Sequence, residues 1–181
     1  MIQNKAFVFL VGLAISGTAV YAASLAATDS TFVRKAAEGG MAEVRMGQLA
    51  NDKGYNKAVK EFGERMVKDH RKANDELKEV ASKRGVTLRD SMNATDKALY
   101  DKLSGLSGDA FDKAYMRAMI KDHEEDVSEF RRESQNAKDP DVRDFASKTL
   151  PTLEEHLRIA KDTGSQVGVM SPSSKGATAH K

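Results

Sequence analysis

The chain has 181 residues, of which 31% are charged and 40% hydrophobic, a composition that is typical of a single soluble helical domain. There is no Cys, which excludes disulfides, thiolate zinc sites, cysteine-ligated iron–sulfur clusters and a thiol nucleophile. The formal net charge is only +2, which is too small a basic excess for a typical nucleic-acid binder, so we expect no nucleic-acid partner.

The first 26 residues have the pattern of a secretory signal peptide. Lys5 supplies the positive start, residues 6–20 are apolar or small, and cleavage sites of the small-x-small type end at Ala22 and Ala26. The alternative, an uncleaved membrane anchor, is disfavoured because the apolar run is shorter than a span of about 20 residues. We therefore predict cleavage near residue 22 or 26, export to a bacterial periplasm, and no stable membrane span in the mature chain.

Four long segments carry apolar residues at three- and four-residue steps, which predicts four long helices. The predicted helices cover residues 30–51, 56–84, 109–137 and 139–162. Asp29 or Ser30 is expected to cap the first helix, and Asp139 followed by Pro140 is a typical start for the last. The predicted organisation is a signal peptide, a helical domain and a flexible tail rich in Ser, Gly and Ala, over residues 1–26, 29–163 and 164–181.

The connections between these helices differ in length, and their lengths predict the topology. Short links around Gly54 and at residues 138–139 make antiparallel neighbours, whereas the middle link covers residues 86–108. A short helix is predicted inside this middle link at residues 96–104, with Thr95 as its cap. One long crossover lets the second and third long helices run parallel. The expected fold class is all-α, a ferritin-like four-helix bundle with one long crossover that carries a short helix.

Three histidines lie within the apolar stripes of three different long helices. They are His70, His123 and His156, and each stands near the middle of its predicted helix. Glu43 stands at a similar depth on the first helix. Three imidazoles and one carboxylate that converge in a helical core are suitable ligands for zinc, copper or iron. The sequence therefore predicts a buried divalent metal site formed by these four residues.

Asp69 and Asp122 directly precede two of the histidines, so each is turned by 100° from the apolar stripe. They are candidates for accepting a ring N–H group from a metal-bound histidine, or they face solvent. A second interpretation of the whole set stays open. In it the three histidines bind no metal. They form hydrogen bonds to neighbouring helices, and their only role is to fix the packing of the bundle.

Several catalytic patterns are missing from the sequence. Di-iron sites of helical bundles use Glu three residues before His, but Val67, Ile120 and Leu153 occupy those positions. No Gly-rich phosphate loop and no nucleophile with an obvious base is present. Met66 and Met119 each lie one turn before a histidine, which would favour copper, although Met is also a common core residue. Binding is therefore favoured over catalysis.

Four sequence segments, in order, match the motifs of a known protein family. The segments are Phe32 to Ala50, then Phe62 with Met66 and Asp69-His70, then Gly108 to Asp112 with Tyr115 and Asp122-His123, and finally Leu150-Pro151 with His156-Leu157. Over about residues 29–162 the chain resembles an exported bacterial family known as domain of unknown function 4142. The resemblance implies a ferritin-like four-helix bundle, usually behind a signal peptide, and no established activity. The matching positions that it implies are Glu43, His70, His123, His156, Asp69 and Asp122.

Two classes of function fit these observations. In the first, a periplasmic bundle binds a divalent metal without catalysis, in stress protection or metal homeostasis. In the second, the protein is a structural or interaction bundle of the cell envelope. The sequence identifies neither the metal, nor a protein partner, nor the oligomeric state.

Overall fold

The computed structural model describes residues 25–169, most of which lie in five helices. The helices are α1 (Ala27–Lys53), α2 (Lys57–Lys83), α3 (Ala94–Ser104), α4 (Gly108–Asn136) and α5 (Pro140–Gln166). Within these described residues there is no strand, and no helix is both long enough and apolar enough to cross a membrane. The predicted signal peptide up to residue 24 and the tail from residue 170 lie outside the described residues.

The four long helices form two antiparallel hairpins that pack against each other. α1 pairs with α2, and α4 pairs with α5, because each pair is joined by a short turn. Across the hairpins, Phe32 of α1 packs edge-to-face on Phe130 of α4 with ring centroids 5.0 Å apart. α3 lies on the crossover and contacts α1 and α4. The predicted all-α four-helix bundle with one long crossover and a short crossover helix is thus confirmed.

The apolar stripes of the helices form two separate clusters of buried side chains. One cluster lies toward the start of α4, and its large members are Met46, Phe62, Met66, Phe111, Tyr115 and Met119. The other lies toward the end of α4, and its large members are Phe32, Leu77, Phe130, Phe145 and Leu153. Full burial of each such side chain is worth roughly 1.5–3 kcal/mol. The two clusters hold the bundle together on both sides of a layer of buried polar residues.

α1 and α2 approach each other closely at two glycines. A Cβ atom added at Gly47 would lie 2.7 Å from the carbonyl oxygen of Gly63, and one added at Gly63 would lie 2.7 Å from that of Gly47. The neighbouring carbonyls belong to the backbone and cannot rotate away. Small residues at both positions therefore set the separation of the two helices.

Two buried aspartates fasten each hairpin to the turn of the other. Asp29 in the first turn of α1 accepts a hydrogen bond of 2.7 Å from the backbone N–H of Asp139. Asp112 near the start of α4 accepts bonds of 2.9 and 2.7 Å from the N–H groups of Tyr55 and Asn56. The predicted capping of the first helix by Asp29 or Ser30 is wrong, since α1 already begins at Ala27. Asp29 instead accepts a hydrogen bond from the distant turn that precedes α5.

Two further boundaries differ from the predicted ones. α3 begins after Asn93, whose side chain accepts from the N–H of Asp96, so Thr95 is not the cap. α5 continues to Gln166, and the predicted start of the tail at residue 164 is too early. The reason is packing, because Gly164 fits closely against the side chain of Ile120 and the domain continues beyond it.

Candidate metal site

The structure brings His70 of α2, His123 of α4 and His156 of α5 together in the polar layer of the bundle. One ring nitrogen of each lies within 4.8 Å of those of the other two, and the ring centroids are 5.3–5.9 Å apart. All three side chains are buried, with relative exposures of 6%, 0% and 1%. They meet because each continues the buried stripe of its helix, one turn after a buried Met or Leu.

Hydrogen bonds orient two of the three rings. Nδ1–H of His123 donates to the backbone oxygen of Met119 at 2.9 Å, and Nε2–H of His156 donates to Oδ2 of Asp69 at 2.9 Å. These acceptors place the ring protons and leave a lone pair on Nε2 of His123 and on Nδ1 of His156. Both of these nitrogens are buried without a hydrogen-bond partner in residues 25–169. Metal-binding histidines have this arrangement, with one nitrogen held by an acceptor and the other free.

Glu43 lies at the edge of the three rings and touches two of them. Its Oε2 contacts Nε2 of His70, and its Oε1 lies 3.2 Å from Nδ1 of His123. The side chain is only 1% exposed, and neither oxygen has a hydrogen bond of acceptable geometry within the described chain. Burial raises the pKa of Glu43, but the adjacent imidazoles of His123 and His70 outweigh this effect and hold the pKa well below its usual range. Glu43 is therefore a carboxylate.

The three imidazoles differ in the protonation that their surroundings favour. Burial lowers the pKa of His156 to about 4, and burial also lowers the pKa of His123. For His70, burial lowers the pKa, but the adjacent Glu43 raises it further and the net direction is upward. His123 and His156 are thus neutral at neutral pH, which is the form that binds a metal.

The structure separates the roles of the two aspartates that the sequence suggested as ring acceptors. Asp69 bonds to His156, as described above. Asp122 instead lies with Glu43 and Asp126, and one carboxylate oxygen from each of these three residues lies within 4.8 Å of the others. Burial, and then the charge of Glu43, raises the pKa of Asp122 to about 9 and that of Asp126 to about 8.

Sequence reasoning missed two polar residues near the site. Asp126 stands one turn after Asp122 and three residues after His123, and this helical spacing was the available signal. The sequence indicated Tyr115 only as a motif residue of the family resemblance, without a polar role. It is fully buried, and its hydroxyl has no hydrogen-bond partner among residues 25–169. Burial, reinforced by the charge of Glu43, raises the pKa of this hydroxyl well above its usual value.

Comparisons with known proteins place the fold and the family. No curated protein matches the chain. A crystal structure of a DUF305 fragment from Deinococcus radiodurans is similar, with a TM-score of 0.70 and 13% sequence identity, over 80% of this chain and 99% of that one. At this identity the likeness shows a shared helical fold. The profile of the family described as domain of unknown function (DUF4142) matches residues 16–163. Since this match covers most of the sequence, the chain belongs to the DUF4142 family, as its motifs predicted.

Proposed function

We propose that the protein binds one divalent metal ion through His70, His123 and His156, with Glu43 as the fourth ligand. The observation that carries the proposal is the pair of buried, unpartnered ring nitrogens on His123 and His156, which lie close to the ring of His70. A buried polar atom without a partner costs about 1–3 kcal/mol. A bound metal removes this cost for several atoms at once. Histidines that served only in packing would be expected to use both nitrogens in hydrogen bonds.

The donor set favours binding over catalysis. Three imidazole nitrogens and one carboxylate match the tetrahedral coordination of zinc, and they also accept copper or iron. Four protein ligands leave no open position for a substrate or an activated water, whereas catalytic zinc sites keep one position open. We therefore propose a role in metal homeostasis or stress protection.

The proposed compartment is the bacterial periplasm. The support comes from the sequence, in the positive Lys5, the apolar run of residues 6–20 and the small residues before positions 22 and 26. Detection of a mature chain that begins near Ala23 or Ala27 in a periplasmic extract would test this placement.

Thermal unfolding of protein purified without a polyhistidine tag tests the metal site. A metal that binds only the folded state adds RT ln(1 + [L]/Kd), which is about 2.7 kcal/mol at a hundredfold excess over Kd. For a domain of this size we expect zinc to raise the Tm by about 5–10 °C relative to chelator-treated protein. The His123→Ala/His156→Ala variant should lose this difference. The matched control is His180→Ala, which replaces the remaining histidine and should keep the difference.

Equal melting curves with zinc, copper, iron and chelator would overturn the proposal. That result would leave the packing role, in which each core histidine still contributes to stability because its replacement by Ala creates a cavity.

A further inference from the structure

Glu43 belongs to two different groups of metal-binding side chains. On one side it touches the rings of His70 and His123. On the other side its carboxylate lies with those of Asp122 and Asp126, with one oxygen of each within 4.8 Å of the others. The two groups differ in chemistry, since the first offers mainly ring nitrogens and the second only carboxylate oxygens.

The unpartnered carboxylate of Glu43 points to a ligand in the second group. This side chain is 1% exposed, and neither of its oxygens has a hydrogen-bond partner in the described chain. Asp122 and Asp126 lie one turn apart on α4 and are half-buried, so they face Glu43 across the contact between α4 and α1.

Within the described residues, no Arg or Lys side chain pairs with the acidic group of Glu43, Asp122 and Asp126. The only basic groups that Glu43 contacts in this part of the chain are the imidazoles of His70 and His123. Three ionised carboxylates in such a place repel each other, so without a cation Asp122 and Asp126 hold protons at neutral pH. A divalent cation stabilises all three at once.

We infer that a second divalent cation binds between Glu43, Asp122 and Asp126, so that Glu43 bridges two metal ions. This inference rests on the proposed function, because Glu43 is also a ligand there. The all-oxygen donor set suits a hard cation such as Mn²⁺, whereas the histidine side suits zinc. The half-buried aspartates also give the second cation a path from solvent.

Metal titration followed by native mass spectrometry and electron paramagnetic resonance tests the inference. Tag-free protein is stripped with chelator, loaded with one equivalent of Zn²⁺ and titrated with Mn²⁺. The wild type should hold one Zn²⁺ and one Mn²⁺ per chain. The Asp122→Asn/Asp126→Asn variant should keep Zn²⁺ and weaken Mn²⁺ binding by more than about tenfold. The control variant Asp75→Asn/Glu79→Gln makes the same charge change at the same spacing on an exposed part of α2, and should behave as wild type.

The outcomes separate the inference from the proposed function. If the wild type binds Zn²⁺ but binds Mn²⁺ no better than Asp122→Asn/Asp126→Asn does, the second site is refuted and the first stands. If His123→Ala/His156→Ala loses Zn²⁺ and keeps Mn²⁺, the second site is supported on its own. A wild type that binds neither ion overturns both. Circular dichroism checks the folding of each variant, and the single change Asp126→Asn replaces the double variant if that one loses helicity.

Discussion

Replacement of Gly47 by Ala tests the close contact of α1 and α2 beside the proposed metal site. The new Cβ atom would lie 2.7 Å from the carbonyl oxygen of Gly63 and 3.1 Å from Cβ of Met66. Ordinary contacts of a Cβ atom begin near 3.4 Å, and a backbone oxygen cannot move without its helix. The two helices must therefore separate by several tenths of an ångström, against the packing of the apolar clusters on both sides.

Two opposing effects determine how much Gly47→Ala changes the free energy of unfolding. Ala in place of Gly inside a helix gains about 1 kcal/mol. Overpacking costs typically 1–3 kcal/mol, and the cost should be near the upper limit here because the contact involves backbone. We expect Gly47→Ala to lose about 1–2 kcal/mol of unfolding free energy. Gly39→Ala, on the same helix, has no atom within 4 Å of the new Cβ and should gain about 0.5–1 kcal/mol.

Urea unfolding of chelator-treated protein, followed by circular dichroism at 222 nm, measures both variants against wild type. The two substitutions are chemically identical, so a difference in sign isolates the helix contact. Gly47 lies one turn after Glu43, and Met66 lies one turn before His70, so Gly47→Ala should also weaken zinc binding. A Gly47→Ala variant as stable as Gly39→Ala would refute the reasoning that a Cβ atom at position 47 forces α1 and α2 apart.

Three further changes have defined expected results. Asp112→Ala removes the acceptor of two backbone N–H groups and should lower the free energy of unfolding in urea by about 2–3 kcal/mol. The exposed control Asp144→Ala should change this free energy by less than about 0.5 kcal/mol. Tyr115→Phe removes an unpaired buried hydroxyl and should raise the unfolding free energy by about 1 kcal/mol; a loss of stability would show that the hydroxyl is bonded. Chelator-treated protein should lose stability between pH 7 and pH 9, since folded Asp122 and Asp126, with pKa values of about 9 and 8, retain protons that the unfolded chain has already released. Asp122→Asn/Asp126→Asn should lessen this fall in the urea midpoint, and an equal slope in both proteins would contradict the assignment.

The sequence contains enough information to predict the long helices and the convergence of the histidines. Asp139 and Pro140 mark the start of α5 by local chemistry, and Asp139 does accept from the N–H groups of the first turn. Apolar periodicity identified the buried face of each long helix, so His70 and His123 could be placed on buried faces before any contact was known.

The remaining features depend on contacts that are distant in sequence. Asp29 resembles a local cap, but its partner Asp139 lies in another hairpin. The role of Asp126 depends on how α4 is rotated against α1, and a shift of one residue would turn its side chain by 100°. The last turn of α5 contains Gly164 and Ser165, where the Ser- and Gly-rich segment begins, and it is held by packing around Gly164, which local propensity does not register.

The two aspartates that fasten the hairpins reveal an internal symmetry. The separation in sequence between the anchors Asp29 and Asp112 recurs in two other pairs of residues with equal roles. It also separates the N-caps Asn56 and Asp139, and the positive-φ glycines Gly85 and Gly168 that follow α2 and α5. α2 and α5 also have the same length of 27 residues. One hairpin pattern thus occurs twice, and the antiparallel packing of α1 on α4 and of α2 on α5 relates the copies by an approximate two-fold axis across the bundle.

This symmetry distinguishes the buried carboxylates from the buried histidines. The same interval carries Glu43 onto Asp126, so these two carboxylates are equivalent and face each other across the axis. The histidines have no such counterparts, since the equivalents of His70 and His123 are Leu153 and Gly40. The repeated frame therefore supplies acids at equivalent positions of both copies, while the imidazoles of α2, α4 and α5 have no equivalents and make the centre of the bundle chemically asymmetric.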